Sequence, residues 1–425
     1  MNLEGVRVLL DGYNLELRQG SGISTYGITL LEALRALKAS VSILSSSRTS
    51  REPLLNEVLF FDATRERRRS VSPSYAISAV KALTGIGFRP RPLELGRIVE
   101  RVSAGRFVDE VAPLVKLYAL GDCYQVSNAF LKWWGKTTTV PNPDRTEIWH
   151  ATSPLPIRIR KAKTITTIHD IIPLRLPHMT LEDKTGFYRN IKNAIRDSDH
   201  LICISQSAKS DLLDCFDVDP EKISVLYQPT ALAQQEVDEA KIKNCLSKHD
   251  LQQRRYLLYV GAIEPRKNLA GLAKAYAGLD TDLPLILVGK RNHYWKEELR
   301  ELDGVKNLRM ISYVSHEDLA CLYAGAYCFI FPSFYEGFGL PPVEAMHFGC
   351  PVIASDASSI PEVCGEAALY IDPNNIQDIR AKMQLLLSDH ALRTKLSLAG
   401  VERAKRFSMS NYVPQLLEVY QKVLG

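Results

Sequence analysis

Short apolar runs alternate along this chain with stretches in which apolar positions return every three or four residues. The runs at 6–10, 41–44, 147–151, 164–168, 201–204 and 223–226 are too short for helices, so they predict strands buried on both faces. A second series follows at 256–260, 285–289, 308–314, 327–331 and 351–355. Between them Tyr26, Leu30, Leu34 and Leu37 share one helical face. Further helices are predicted over 315–323, 343–348 and 377–387, with a last amphipathic one running to Val423. Such strand–helix alternation predicts an α/β architecture of parallel sheets covered by helices. A chain of 425 residues is too long for one core. The expected division is a first domain over 1–230, a polar connection over 231–254, a second domain over 255–407 and a final helix over 408–425. The alternation lapses from about 64 to 143, which reads as a helical insertion in the first domain.

The densest chemistry lies in the second series. From 329 the chain reads FIFPSFYEGFGLPPVEAMHFGCPVIASDASSIPEVCGEAALYIDP. Gly337 and Gly339 flank Phe338 and predict a tight loop in which backbone approaches something bulky. Pro341 and Pro342 suit a helix start, and Gly349 suits the left-handed position that ends the helix. Glu336 lies in the loop and Glu344 in the first helical turn. With amides for anionic oxygens and carboxylates for hydroxyls, the unit reads as a sugar-nucleotide cradle at the carboxyl end of a parallel sheet. After the strand at 256–260 comes Gly261, then Arg266, Lys267 and Asn268. Two cations at a helix start are electrostatically unfavourable, so a bound anion accounts for them better. His169 closes the strand at 164–168, an edge where open α/β sheets place ligands. His150 reads as a core residue, and Ser205 and Ser207 as helix caps. Gly20, Ser21 and Gly22 form a glycine loop between the first strand and helix, a common feature of nucleotide-binding folds.

Glu336-x7-Glu344, set within PS-x-x-EGFGLPP-x-EAM-x-x-G-x-PV, resembles the donor site of the group 1 retaining glycosyltransferases of the GT-B fold. The resemblance covers about 255–410 well and the first domain in patches. It implies two Rossmann-like domains facing across a cleft, the second holding a nucleotide sugar, with the last helix crossing back to the first. It further implies that Glu336 lies against the transferred sugar and that Glu344 holds the ribose hydroxyls. Arg266 and Lys267 would lie over the diphosphate, while Gly337, Phe338, Gly339 and Leu340 line the donor. Backbone near Tyr313 and Val314 would meet the base, and the Gly22 loop would approach the diphosphate and acceptor. Thr25 stands where many relatives carry Arg. The segment from His169 through Asp170 to Pro173 is similar to a mannosyltransferase-rich branch whose His contacts the transferred sugar. The expected reaction moves a hexose, with GDP-mannose the favoured donor, to a saccharide or lipid-linked saccharide in bacterial polysaccharide biosynthesis. No aspartate pair suggests a metal-chelating Asp-x-Asp, so no cofactor and no obligatory metal are expected. A sugar-nucleotide epimerase, a phosphorylase, a UDP-sugar transferase or an inactive binding subunit would share the architecture.

Composition adds a location. At 46% hydrophobic and 24% charged, the chain is globular in type, and no apolar run approaches the roughly 18 residues of a membrane span. The N-terminus, with Glu4 and no long apolar core, reads as a strand and not a signal peptide. Eight scattered cysteines with no Cys-x-x-Cys pair read as reduced thiols, hence the cytoplasm. Residues 65–136, bounded by Arg65 and Lys136, carry 13 basic and 6 acidic residues, a net of +7 against +5 for the whole chain. Arg65, Arg67, Arg68 and Arg69 open the stretch, and Trp133 and Trp134 lie near its end. It reads either as a solvated insertion or as a peripheral contact with the inner face of the membrane. No nucleic-acid reader module is recognisable.

Overall fold

The computed structural model describes residues 2–16, 22–48, 50, 52–63, 73–84, 88–95, 112–289, 300–312 and 314–425. Among the described residues of the first half the strands are β1 Arg7–Asp11, β2 Ser40–Ser45, β3 Arg91–Leu93, β4 Lys116–Ala119, β5 Thr138–Val140, β6 Ile148–Ala151, β7 Ile157–Ile159, β8 Lys163–Ile168, β9 His200–Cys203 and β10 Ile223–Val225. The second half adds β11 Leu257–Val260, β12 Leu285–Val288, β13 Leu308–Ile311, β14 Cys328–Phe331, β15 Val352–Ser355 and β16 Ala368–Ile371. The first large sheet has the order β10-β9-β8-β6-β1-β2-β4-β3, parallel except at β3. The second is β13-β12-β11-β14-β15-β16 and wholly parallel. Each reverses its strand order near its middle, between β1 and β6 in the first and between β11 and β14 in the second. The loops that leave paired strands at such a reversal diverge to opposite faces and open a crevice, where parallel sheets bind ligands.

The apolar runs form strands because both faces are covered. Every residue of β6, β14 and β15 is buried, and β1 is buried beyond its first residue. The segment 64–143 departs from its reading as a helical insertion. β4 pairs in parallel with β2, and the helix Cys123–Trp134 buries Cys123, Tyr124, Val126, Phe130 and Leu131. The apolar core of β4 is only Leu117, Tyr118 and Ala119, too short to stand out from its charged surroundings, and sheet pairing rather than local pattern makes it a strand. Arg65, Arg67, Arg68 and Arg69 lie outside the described residues. The expected connection at 231–254 contains the helix Glu239–Lys248, which buries Ile242, Cys245 and Leu246 and packs on the helix His316–Gly325. That helix is therefore part of the second body rather than a linker.

The final helix, Met409–Leu424, crosses back and packs on the first helix, Gly22–Ala36. Its Tyr420 hydroxyl pairs with His150 Nδ1 at 2.7 Å, and His150 Nε2 meets Thr167 Oγ1 at 2.9 Å. Thr167 in turn meets the Tyr26 hydroxyl at 2.8 Å. His150 is fully buried, and burial lowers its pKa to about 3, so it stays neutral and serves the core.

Candidate active site

Glu336 follows β14, and Arg266 and Lys267 follow β11, so the reversal between those strands sets the two loops side by side. Glu336 Oε2 accepts from Arg266 Nη1 at 2.9 Å, and Oε1 accepts from Lys267 Nζ at 2.5 Å. Glu336 and Lys267 are each only 7% exposed. Burial alone would raise the Glu336 pKa, but the ammonium and guanidinium outweigh it and hold the carboxyl at about 2. The sequence argued for a bound anion beside the two cations; the chain supplies one of its own. Arg266 Nε also donates to Glu264 at 2.9 Å, and Nη1 reaches the Tyr335 carbonyl at 3.3 Å. These bonds use three of the five guanidinium donors, and among the described residues the Nη2 pair stays available for a ligand.

The loop is bolted by residues that sequence reasoning passed over. The Ser359 hydroxyl bonds the carbonyls of Glu336 and Phe338 at 2.9 and 2.8 Å, and the Glu336 amide donates to Ser358 Oγ at 2.8 Å. Asn268 sits at φ +56°; its amide nitrogen bonds the carbonyls of Pro332 and Pro373, and its oxygen caps the helix Leu269–Ala277 through Gly271 N. The signal was there in an Asn directly ahead of an apolar helix. Gly339, at φ +105°, precedes the helix Leu340–His347. Because Pro341 and Pro342 follow Leu340, the donors at this helix mouth are the amides of Gly339 and Leu340.

Glu344 stands apart from that cluster. It is half-buried, accepts from the Tyr323 hydroxyl at 3.0 Å, and burial raises its pKa to about 7. Val314 is half-buried at the end of the segment after β13, and Tyr313 lies outside the described residues. Gly22 is exposed at the start of its helix with open space around it.

His169 and the Glu336 loop meet across the interdomain cleft. A Cβ placed on Gly337 would stand 2.5 Å from the His169 carbonyl oxygen and 3.0 Å from Asp170 Cβ, so only glycine permits this approach. Ser205 Oγ donates to the Gly337 carbonyl at 2.7 Å while capping its own helix, Gln206–Cys215. Glu362 accepts from the Gln206 and Ser207 amides at 2.6 and 3.0 Å, and the Tyr335 hydroxyl bonds Asp211. Ser207 is therefore capped rather than capping. Phe338 packs between Tyr227 and Phe407.

His169 Nε2 lies 2.8 Å from the Thr152 carbonyl, which can only accept. The ring is thus protonated at Nε2, and Nδ1 carries a lone pair. Burial lowers the pKa to about 4, and Tyr26 packs against the ring edge-on at 4.9 Å. Asp11, buried at the end of β1, accepts from the amides of Thr152 and Tyr13, and so fixes the loop that orients His169. Its carboxyl is raised by burial to about 6. His169, Asp170, Glu264 and Arg266 all face one cleft of about 1070 Å³. The arrangement can neutralise a departing diphosphate, accept hydrogen bonds from sugar hydroxyls and exclude water between two domains.

Comparison with known proteins shows the family and the fold. The family described as Glycosyl transferases group 1 matches residues 244–403, and Glycosyltransferase Family 4 matches residues 106–234. O-antigen chain mannosyltransferase B of Escherichia coli is 35% identical over 277 residues, covering 63% of this chain and 72% of that protein. Serotype-specific mannosyltransferase WbdA of Escherichia coli is 31% identical over 277 residues, covering 62% of this chain but only 34% of its own length. Anabaena HepE, solved with UDP and glucose, superposes with a TM-score of 0.66 at 15% identity, covering 98% of this chain and 100% of that one. The chain belongs to the group 1 glycosyltransferases. Its fold is GT-B, and it is a glycosyltransferase.

Proposed function

We propose that the protein transfers mannose from GDP-mannose to a saccharide or lipid-linked saccharide hydroxyl, with retention of configuration, in building a bacterial surface polysaccharide. The observation that carries this reading is Glu336, ion-paired to Arg266 and Lys267 and brought across the cleft to His169 through Gly337. Both named relatives are mannosyltransferases, one of them of the O-antigen chain, which supports mannose and a polysaccharide product. In the reaction the bond between the anomeric carbon and the diphosphate oxygen breaks. A bond to the acceptor oxygen forms on the same face, and the acceptor hydroxyl passes its proton to the departing diphosphate oxygen. Arg266 and Lys267 shift from Glu336 toward the charge growing on the diphosphate, aided by the amides at the Leu340–His347 helix mouth. Glu336 then orients the sugar, and Glu344 holds the ribose. Neutral His169 accepts a sugar hydroxyl at Nδ1 instead of donating a proton.

In this reading the two cations do the work that a divalent ion does elsewhere, so activity persists in EDTA while Arg266→Ala loses it even with added magnesium. The deciding measurement is a panel of GDP- and UDP-sugars with a mannose-terminated acceptor, read by nucleotide release and product anomer. Consumption of UDP-sugars alone would overturn the donor assignment, and an inverted anomer would overturn retention.

We place the enzyme at the cytoplasmic face of the membrane, docked peripherally through the 65–136 region. No helix among the described residues is long and apolar enough to cross a membrane. Trp133 and Trp134 are 73% and 55% exposed at the end of the helix Cys123–Trp134, which packs on the helix Pro73–Thr84 with Ile77 and Leu83 also exposed. Exposed tryptophans beside basic residues suit an anionic headgroup layer. Sedimentation with anionic liposomes at low salt, lost in high salt and in a Trp133→Ala, Trp134→Ala variant, is the expected result; equal binding to neutral liposomes contradicts it.

A further inference from the structure

Asp11 ends β1, Thr152 follows β6 and His169 follows β8, so three neighbouring parallel strands set these residues in a row at the carboxyl edge of the first sheet. The Asp11 side chain is wholly buried, and no cation among the described residues stands beside it. A buried carboxylate without a counter-ion is costly, and hydrogen bonds to its charged form are what offset the cost. Its Oδ2 accepts from the Thr152 amide, and its Oδ1 accepts from the Tyr13 amide at 3.1 Å. Farther along the same loop, Asn14 Nδ2 donates to Ser153 Oγ at 3.1 Å. The loop after β1 therefore grips residues 152 and 153 at two points. On the other side of Thr152, its carbonyl accepts from His169 Nε2 at 2.8 Å. That carbonyl is what leaves the lone pair on Nδ1. Were it to swing away, no described group at Nε2 would select one tautomer, and Nδ1 would be an acceptor only part of the time. Tyr26 packs edge-on against the ring, which fixes its plane but not its proton.

We propose that Asp11 is a positioning residue for the transfer: it holds Thr152, and through the Thr152 carbonyl it keeps His169 protonated at Nε2 with Nδ1 open to a sugar hydroxyl. The proposal rests on the glycosyl-transfer reading, in which His169 meets the sugar. Protonating Asp11 turns one of its two acceptor oxygens into a donor, so one amide loses its partner. Burial raises the carboxyl to about 6, which places that loss in mildly acidic solution. Tyr26 of the helix Gly22–Ala36 and Tyr124 of the helix Cys123–Trp134 face Asp11, and burial raises both hydroxyls further from neutrality. His150 and His169, on the neighbouring strands, are lowered by burial to about 3 and about 4. Glu16 is turned to Ser46, bonding its amide and hydroxyl at 2.9 and 2.6 Å.

The test follows the His169 ring by nitrogen NMR of the histidine-labelled full chain, its signal assigned by loss in His169→Gln, alongside turnover at saturating donor. In wild type the ring should be held as Nε2–H at pH 7.5 and become a mixture of tautomers at pH 5.5. Asp11→Asn is close in shape and cannot ionise. It should show the mixture at both pH values and turn over about tenfold more slowly at pH 7.5, the worth of one hydrogen bond, with nucleotide affinity unchanged. A wild-type ring held as Nε2–H at both pH values would overturn the positioning role, as would a variant with unaltered tautomer or turnover. If the variant does not fold, the wild-type comparison of the two pH values decides alone. Absence of turnover with every nucleotide sugar would instead sink the transfer reading, while the ring signal still reports whether Asp11 holds His169.

Discussion

Glu336 and Glu344 lie eight residues apart in one loop–helix unit, yet the protein treats them in opposite ways. Glu336 is clamped by two cations, bolted by Ser358 and Ser359, and carried on a loop that touches the other domain. Glu344 has one neutral partner, Tyr323, and its recorded contact stays within its own domain. Burial disfavours ionisation at both, but only one has opposite charge beside it. The first carboxyl is therefore held at about 2 and the second raised to about 7. Two acids of one motif thus suit different duties: a permanent anion at the reacting sugar, and a group whose charge depends on pH at the nucleotide.

The largest effect should follow from Glu336→Gln. Losing a positioned group at the reacting sugar lowers turnover by about 10²–10³. It also strands the Lys267 ammonium and the Arg266 guanidinium, at a stability cost of about 3 kcal/mol. Nucleotide affinity should be no weaker, since the cations are freed for the diphosphate. Single-turnover rates, denaturant melts and calorimetry check the three parts; lost affinity at full rate would erase the contrast between the two acids.

Next comes the pH dependence, where the two acids should run in opposite directions. Glu336 is depressed below its ordinary 4.5, so its stabilising contribution is present above 4.5 and is lost as pH falls toward 2. Glu344 is raised, so the stability tied to its neutral form is intact below 4.5 and is lost as pH climbs through about 7. Glu344→Gln should accordingly be more stable than wild type at pH 8, by about 1–3 kcal/mol, and equal to it near pH 4. Wild-type nucleotide affinity should rise between pH 6 and 8, and the same variant should bind nucleotide more weakly and lack that rise. Thermal melts and titrations at the two ends of the range measure this, and a wild type flat across it would contradict the raised carboxyl.

Tyr323→Phe should act more gently. It removes the one hydrogen bond favouring the ionised form of Glu344, moving the midpoint of the nucleotide-affinity profile to higher pH with turnover at saturating donor unchanged. A change of a few-fold in affinity at pH 7 is expected, in line with one neutral donor. The smallest effect belongs to the ties across the cleft. Glu362→Ala uncaps the helix Gln206–Cys215 at a cost of about 1 kcal/mol. It should open the ligand-free protein slightly, seen as a larger radius of gyration by small-angle scattering. An unchanged radius would show that Ser205 and Tyr335 hold the cleft without it.

Much of this molecule is legible in its residues because much of it is local. Strand runs such as Phe329–Ile330–Phe331 are apolar on both faces because they are buried on both. Pro341, Pro342 and Gly349 bound their helix by backbone geometry alone. Adjacent Arg266 and Lys267 announce a charge problem wherever they fold. β4 was missed because three apolar residues become a strand only when β2 is there to pair with them. The solution to the charge problem was hidden for a similar reason. Glu336 neutralises cations some seventy residues earlier in the chain because β11 and β14 are neighbours in the sheet, and strand order is a property of the whole domain. Asp11 reaches the Thr152 amide by the same means, through the pairing of β1 with β6. The amino-acid sequence by itself determined the elements, the family motif and which side chains bear the chemistry. Only the tertiary structure decided which charges meet and which carboxylate is ionised, because burial and pairing depend on neighbours brought from far along the chain.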